Sequence, residues 1–326
     1  MIELFVITET EWRELITESV SLEGQRYQAP RSIQATIVIK QGDQKYYSVQ
    51  EGDTVLFKWK GKELFRGIVF SRMPGEHTLV FTAYDMLQYL VKNKDVYVFS
   101  NKRADQIVRR IANDFQIPKT SITNTGYTIK SLVFKNDTSL YDIILKAIKE
   151  TKKQTGKNYQ LYSSKGKLGL REWPDPTEIW VLETSVNIME YQYSTSINDT
   201  ATRVKMRRQK DKKTYTATAS DSSGIKKYGV LQYVETVSDN INQAQLQQRA
   251  NVRQSQKKGV KKELKGIQAL GIPDLQSGMP VYISIPDAGI KQKYWVDKDK
   301  HEFKGSNHTM TIDVVSKNNT PAGVSS

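Results

Sequence analysis

The side chains of this sequence suited to proton transfer or metal binding are few. They are two close pairs of carboxylates, Glu51 with Asp53 and Asp297 with Asp299, and three histidines, His77, His301 and His308. Paired acids can divide general acid and general base roles, and histidines can bind zinc or take up a proton. Neither set is complete. If Lys304 to Asn307 form a hairpin turn, Phe303 faces His308 and His301 faces Met310, which leaves two histidines diagonal on one face without a third ligand. Both carboxylate pairs read as residues at strand ends beside turns, where they stay hydrated. The sequence has no Gly-x-Ser-x-Gly, His-Glu-x-x-His, P-loop or Gly-x-Gly-x-x-Gly, and no cysteine to supply a thiolate. The expectation is a protein with no catalytic residue, no metal and no cofactor.

The elements that carry these residues form a segment that occurs twice. The first copy begins Val49-Gln50-Glu51-Gly52-Asp53-Thr54-Val55 and closes Gly75-Glu76-His77-Thr78-Leu79-Val80-Phe81. The second begins Leu275-Gln276-Ser277-Gly278-Met279-Pro280-Val281 and closes Gly305-Ser306-Asn307-His308-Thr309-Met310-Thr311-Ile312. Each has a turn glycine ahead of a strand, then a polar turn, His-Thr and two large apolar residues one apart. Ser277 and Met279 stand where the first copy has Glu51 and Asp53, so the acid pair is not shared. Two similar β modules without a catalytic motif point to a building block rather than an enzyme.

At 326 residues the chain is long enough for two or three domains, and 38% hydrophobic with 26% charged residues is a globular composition. No apolar run approaches the roughly 20 residues that span a bilayer. The first residues lack the basic flank and cleavage site of a signal peptide, so the protein is expected to stay where it is made. The net charge of +14 raises nucleic acid as a ligand. Arg203, Lys205, Arg207, Arg208 and Lys210 concentrate it in one segment that runs on to Lys213, and Lys261 and Lys262 in a second. Both segments suit phosphate contacts, solvated hairpin tips or a docking surface for an acidic partner. Aromatic residues for base stacking are not interleaved with them.

Alternation marks strands from the N-terminus to about residue 83, with Thr82-Ala83-Tyr84-Asp85 in the form of a helix capping box. A short helix with Ala83, Leu87, Leu90 and Val91 on one face is expected to close the first barrel. Ala104, Ile107, Val108, Ile111 and Phe115 follow the helical period, as do Leu140, Ile143, Ile144 and Ala147 after Ser139. A hairpin turns at Lys165-Gly166-Lys167, and Trp173-Pro174-Asp175-Pro176 reads as a boundary. Further strands follow, the last from Tyr228 to Val237, with a polar loop at Asp221-Ser222-Ser223-Gly224 and a glutamine-rich helix over 239–256. The expected fold class is α+β, mainly β: a β-barrel with its closing helix over 1–97, an α+β domain over 98–175, a second barrel over 176–317, and a tail over 318–326.

Three segments carry a resemblance over nearly the whole chain: Ser21 to Ser32, Ala83-Tyr84-Asp85-Met86-Leu87-Gln88-Tyr89-Leu90 and Lys227-Tyr228-Gly229-Val230-Leu231-Gln232-Tyr233. The chain resembles the baseplate hub proteins of contractile phage tails, the group that includes the phage late control protein D family, and in particular members from the PBSX and skin prophage-like elements of Bacillus. The resemblance implies two tail-tube-like barrels per chain and a homotrimer whose six barrels form a ring. It implies a tail tube protein, a central spike and other baseplate and tape-measure components as partners, no membrane, and nucleic acid at most passing through the lumen. It places the protein in the bacterial cytoplasm during assembly and then in the baseplate of a phage tail or tail-like particle. Within such a ring, Val55, Phe57 and Trp59, with Val281, Ile283 and Ile285, are expected on exposed edge strands that touch neighbouring barrels. The reading from another class, a basic β-barrel protein that binds nucleic acid, stays open.

Overall fold

The computed structural model describes residues 1–8, 11–40, 49–173, 176, 178–210, 213–237 and 241–316. Pro174, Asp175, Asp211, Lys212 and the expected tail lie outside them, as does the start of the glutamine-rich helix at 239. The fold is α+β and mainly β. It divides into two compact units, Met1–Tyr191 with Lys265–Ser326, and Gln192–Leu264.

The first unit opens with seven strands: β1 (Ile2–Ile7), β2 (Trp12–Glu14), β3 (Thr17–Gln25), β4 (Gln28–Val38), β5 (Thr54–Trp59), β6 (Lys62–Pro74) and β7 (Thr78–Tyr84). Successive side chains of a strand leave on opposite faces. Ile33, Ala35 and Ile37 of β4 therefore turn inward together, as do Leu79, Phe81 and Ala83 of β7, and all are buried. The strands pair in the order β3-β4-β7-β6-β5-β1-β2, and their core takes in one distant residue, Phe303.

Next come α1 (Leu87–Lys92), β8 (Lys94–Arg103), α2 (Ala104–Asp114), β9 (Lys119–Ile122), β10 (Thr128–Ser139), α3 (Leu140–Thr155), β11 (Tyr159–Ser164) and β12 (Lys167–Glu172). The capping box expected at Thr82 does not form, because Thr82 stays in the β7 ladder. Asp85 starts the helix by itself, its Oδ1 accepting from the Leu87 N–H at 2.9 Å. The helix expected to close the first barrel places Leu87 and Leu90 in the neighbouring core, with Ile107 and Ile111 of α2 and Ile143 and Ile144 of α3. The two longer helices follow their apolar period. Ser139 caps α3 by accepting from the Asp142 N–H at 3.1 Å, and Gly156 ends it in the left-handed region. The ribbon of β8 and β10 escaped the sequence reading because exposed Val96, Val98 and Val133 blur its alternation.

β13 (Trp180–Glu183) and β14 (Ile188–Ser196) lead to the second unit, which holds β15 (Arg203–Lys210), β16 (Lys213–Ser220), α4 (Ser222–Tyr228), β17 (Gln232–Val237) and α5 (Gln243–Lys257). β15 is central, antiparallel to β16 and parallel to β17. Val204 and Met206 of β15, Ala217 of β16 and Leu246 and Ala250 of α5 make the core. The stretch read as a polar loop begins α4, where the Ser223 hydroxyl donates to Asp221 at 2.7 Å, and the strand read from Tyr228 begins at Gln232, after Gly229.

The last strands are β18 (Lys261–Leu270), β19 (Pro280–Ile285), β20 (Ile290–Lys304) and β21 (Asn307–Val315). They pair in the order β14-β18-β21-β20-β19-β13. Strand for strand, β14, β18, β21, β20 and β19 stand where β3, β4, β7, β6 and β5 stand in the first module. The correspondence reaches single hydrogen bonds. The Gly52 N–H donates to the Val69 carbonyl at 2.9 Å and the Gly278 N–H to the Val296 carbonyl at 2.8 Å. The Val69 N–H donates to Asp53 at 2.9 Å and the Val296 N–H to Met279 at 3.0 Å. Both glycines have φ of +92°, which a side chain rarely tolerates. In both long strands the ladder slips just past that valine, between Val69 and Ser71 and between Val296 and Lys298.

Candidate assembly site at the seam of the two modules

The repeated modules join into one sheet. One side of β20 pairs with β21, and the other side, from Lys298 opposite Gln25 to Lys304 opposite Ser19, pairs with β3. Alternation along β20 turns Asp299, His301 and Phe303 inward, and all three are buried. Phe303 meets the Phe57 ring edge-on, with centroids 4.9 Å apart, and the Trp59 ring at 5.0 Å. Register thus brings an aromatic from the end of the chain into the core built near its start.

Asp299 is the charged centre of the seam. Arg31 of β4 grips it with two hydrogen bonds, of 2.9 and 2.6 Å, and the Ser277 N–H adds a third at 2.6 Å. Burial opposes this charge, but Arg31 and His301 outweigh it and hold the carboxyl well below the usual carboxylate range. Gly24 makes room, since a Cβ there would lie 2.1 Å from Arg31 Nη1 and 3.1 Å from Asp299 Oδ1. At the end of the seam the buried Arg26 binds Asp297 through Nε at 3.0 Å, and its N–H donates to the Asp297 carbonyl at 2.7 Å. Lys62 and Asp274 form a further ion pair between the modules.

Two histidines extend this network. His301 Nε2 lies 3.1 Å from the Leu275 carbonyl, which can only accept, so Nε2 carries a proton. His301 Nδ1 is 3.0 Å from His308 Nε2, and the two rings share one proton between them. His308 stacks on Phe303 with centroids 4.1 Å apart, beside Trp59. Burial, with His301 and Lys60 nearby, pushes His308 down to about 4.

Beside the seam lies a cavity of about 280 Å³, lined by Arg26, Arg31, Asp85, Tyr141, Trp173 and Ser277 among others. Burial raises the Asp85 carboxyl to about 7, against the opposing Leu87 N–H and Arg31. A carboxyl that titrates near neutrality in a cavity can signal acid–base chemistry. Here its cause is structural, because Asp85 directly follows β7 and accepts from the Leu87 N–H at the start of α1. The arrangement as a whole is suited to fastening two modules together.

The residues singled out from the sequence separate accordingly. Asp297 and Asp299 are not hydrated strand-end carboxylates: they lie within β20, where half-buried Asp297 pairs with Arg26 and fully buried Asp299 with Arg31. Glu51 and Asp53 do lie at a turn, where Asp53 accepts from the Gln50 N–H and Glu51 pairs with Arg72. His301 faces Met310 and Phe303 faces His308, the register that the hairpin predicts. Among the described residues no three His, Asp or Glu side chains group as for a metal. Val55, Phe57 and Trp59 are not on an open edge, since β5 is paired with β1 and β6 and these side chains are buried. Val281, Ile283 and Ile285 are likewise buried, in a strand paired with β13 and β20. Their apolar side chains fill cores, which is why they alternate so regularly.

Of the basic residues, Arg203 and Lys205 are half-buried and Arg207 is exposed, all on β15. Arg208 is buried and does not belong to a surface: it donates to the Ile241 carbonyl and its guanidinium lies 4.5 Å from the Tyr215 ring centre. Lys210 is the last residue of β15, and its side chain lies outside the described residues. Lys261 pairs with Asp199 and Glu263, both at 3.2 Å, and Lys262 is exposed. Arg31, Gly24 and Arg26 were missed as a site. The usable signal was parity, because the residues of β20 two and four positions before apolar Phe303 had to face inward with it.

A family model described as YQBQ-like matches residues 20–315. Two curated proteins of Bacillus subtilis (strain 168) match over the full length of both chains. YqbQ is 81% identical over 326 residues, and the phage-like element PBSX protein XkdQ is 79% identical over 325. Among solved structures, the 43 kDa tail protein of prophage MuSo2 from Shewanella oneidensis is similar with a TM-score of 0.70 and 13% identity, covering 96% of this chain and 98% of that one. The tail protein from Neisseria meningitidis MC58 has a TM-score of 0.66 and 14% identity, with 96% of each chain covered. The E. coli c3393 protein, a type VI secretion component described as similar to T4 tail proteins gp27 and gp5, has a TM-score of 0.60 and 10% identity, covering 99% of this chain and 80% of that one.

Proposed function

The chain belongs to the YQBQ-like family, and from that premise we propose that it is a structural component of a phage tail or tail-like particle, and within it the hub that joins the tube to the spike. Relatives named as a PBSX phage-like element protein and as tail proteins support the tail role. One observation carries the finer reading. The order β14-β18-β21-β20 is followed directly by β3-β4-β7-β6, the same set of four strands twice, joined where the end of one set meets the start of the next. The two remaining ends, β14 and the outer edge of β6 at Ser71–Pro74, are the two halves of that same joint. Among the described residues no strand covers either.

A joint between unlike ends repeats from copy to copy, and it closes into a ring where the rotation per copy returns to its start. Three chains then bring six modules into one ring. Such a ring presents near-sixfold symmetry to a hexameric tube and threefold symmetry to a trimeric spike, with other baseplate and tape-measure components as further neighbours. The core of α1, α2 and α3 decorates its outside, nucleic acid at most passes through its lumen, and no reaction is involved. The hub forms in the bacterial cytoplasm and works in the baseplate.

The absence of cysteine makes the test clean. Met73→Cys in β6 is combined in turn with Tyr193→Cys, Ser194→Cys and Thr195→Cys in β14, and the chain is oxidised alone and with the spike and tube proteins encoded beside it. Covalent trimers from at least one combination, with a trimeric native mass, are expected. A chain that stays monomeric with both partners present and cross-links in no combination overturns the ring.

A further inference from the structure

We propose that the uncovered face of the β15-centred sheet docks an extended acidic segment of another protein. The argument starts from charge. Residues 192–264 hold fifteen lysines and arginines against six aspartates and glutamates, a net +9 of the chain's +14. Strand alternation then sorts these charges by face. Val204 and Met206 of β15 turn toward α5 and the core, so Arg203, Lys205 and Arg207 share the opposite face.

In register with Lys205 and Arg207 stand Thr218 and Thr216 of β16, both exposed, and beside Lys205 stands Val234 of β17, 44% exposed. Among the described residues of the three strands no carboxylate shares this face. Glu235, the sole acid of the three strands, lies on the other side, where Arg253 binds it at 2.8 Å. No ion pair engages Arg203, Lys205 or Arg207 among the described residues. The sheet also has one closed and one open edge. Gln243 and Gln247 of α5 donate to the Thr216 and Thr218 carbonyls at 2.9 and 3.0 Å, whereas among the described residues no strand covers the outer edge of β17.

Three cations at alternate positions are spaced about 6.8 Å apart, the same repeat that an extended partner gives to carboxylates at every second residue. Threonine hydroxyls between them can donate to the same carboxylates. Nucleic acid fits less well, since the face offers no aromatic surface on which bases could stack. The proposal rests on this unit alone and holds whether or not three chains form a ring.

The full-length protein is titrated, at near-physiological salt, with an alternating Glu-Thr peptide, a peptide of the same composition with its glutamates in one block, and a single-stranded oligonucleotide of equal charge. The alternating peptide should bind best, and R203Q/K205Q/R207Q should weaken it about tenfold or more, as the loss of three ion pairs implies. The variant K102Q/K130Q/K135Q removes as many exposed charges elsewhere and should leave binding unchanged. Circular dichroism melts identify a variant that has failed to fold, and R207Q alone, which should weaken binding about threefold, then carries the test. Equal losses in the two triple variants, equal binding of the two peptides, or tighter binding of the oligonucleotide overturns the proposal.

Discussion

His308 sits on the Phe303 ring with its imidazole held down to about 4 by burial and its neighbours, against 6.5 for the free side chain. A base whose folded value is depressed favours folding while it is neutral. Its contribution is therefore complete above pH 6.5 and is lost as pH falls through about 4. The urea midpoint of the protein should fall across that window, and His308→Phe, which keeps an aromatic ring on Phe303, should flatten the fall. A variant with the parent's slope would remove His308 as the titrating group. Asp85 acts in the opposite sense, since a carboxyl raised from 3.8 to about 7 weakens folding as pH rises between those two values, and the loss is constant above them. The two groups thus partly offset each other between pH 4 and 7.

At the scale of elements, the seam is a strand pair whose inward positions hold charge. Asp299→Asn leaves the Arg31 guanidinium in place without its counterion, and removing one member of a buried pair costs about 3–5 kcal/mol. Replacing both members, as in R31M/D299M, should recover most of that loss. Chemical denaturation of Asp299→Asn, of R31M and D299M singly and of R31M/D299M measures both expectations, and an additive double variant would mean that the pair is not coupled. Alternation made the individual strands legible, as Leu79, Phe81, Met310 and Ile312 illustrate. Even the turn glycines of the repeat, Gly52 and Gly278, proved equivalent in backbone conformation. Alternation says which side of a strand is wet, but not which strand lies beside it. β5 and β19 therefore read as open edges although each has a neighbour on both sides. The partner of β20 lies some 270 residues away, as the Arg26 to Asp297 contact spans 271 positions, and no local pattern encodes that choice. Thr82 illustrates the converse: a local helix signal lost to the β7 ladder, because pairing with Gln34 and Ser71 outweighs one cap.

At the scale of the whole molecule, the duplication gives one chain two copies of a strand set and a single internal joint between them. The core of the first module is incomplete without Phe303, which packs against Phe57 and Trp59. A chain stopped at Gly289 lacks β20 and β21, and the edge of β3 and both aromatic rings should then meet water. Hydrogen exchange in β3 should quicken markedly in that truncation, whereas retained protection would show that the first module is self-sufficient. Nascent chains generally fold from the N-terminus as they emerge, at about 5–20 residues per second. Here β3 must wait until residues 298–304 have left the ribosome. Products terminated before β20 are left without that strand partner, so completion of the first module reports that translation has passed β20.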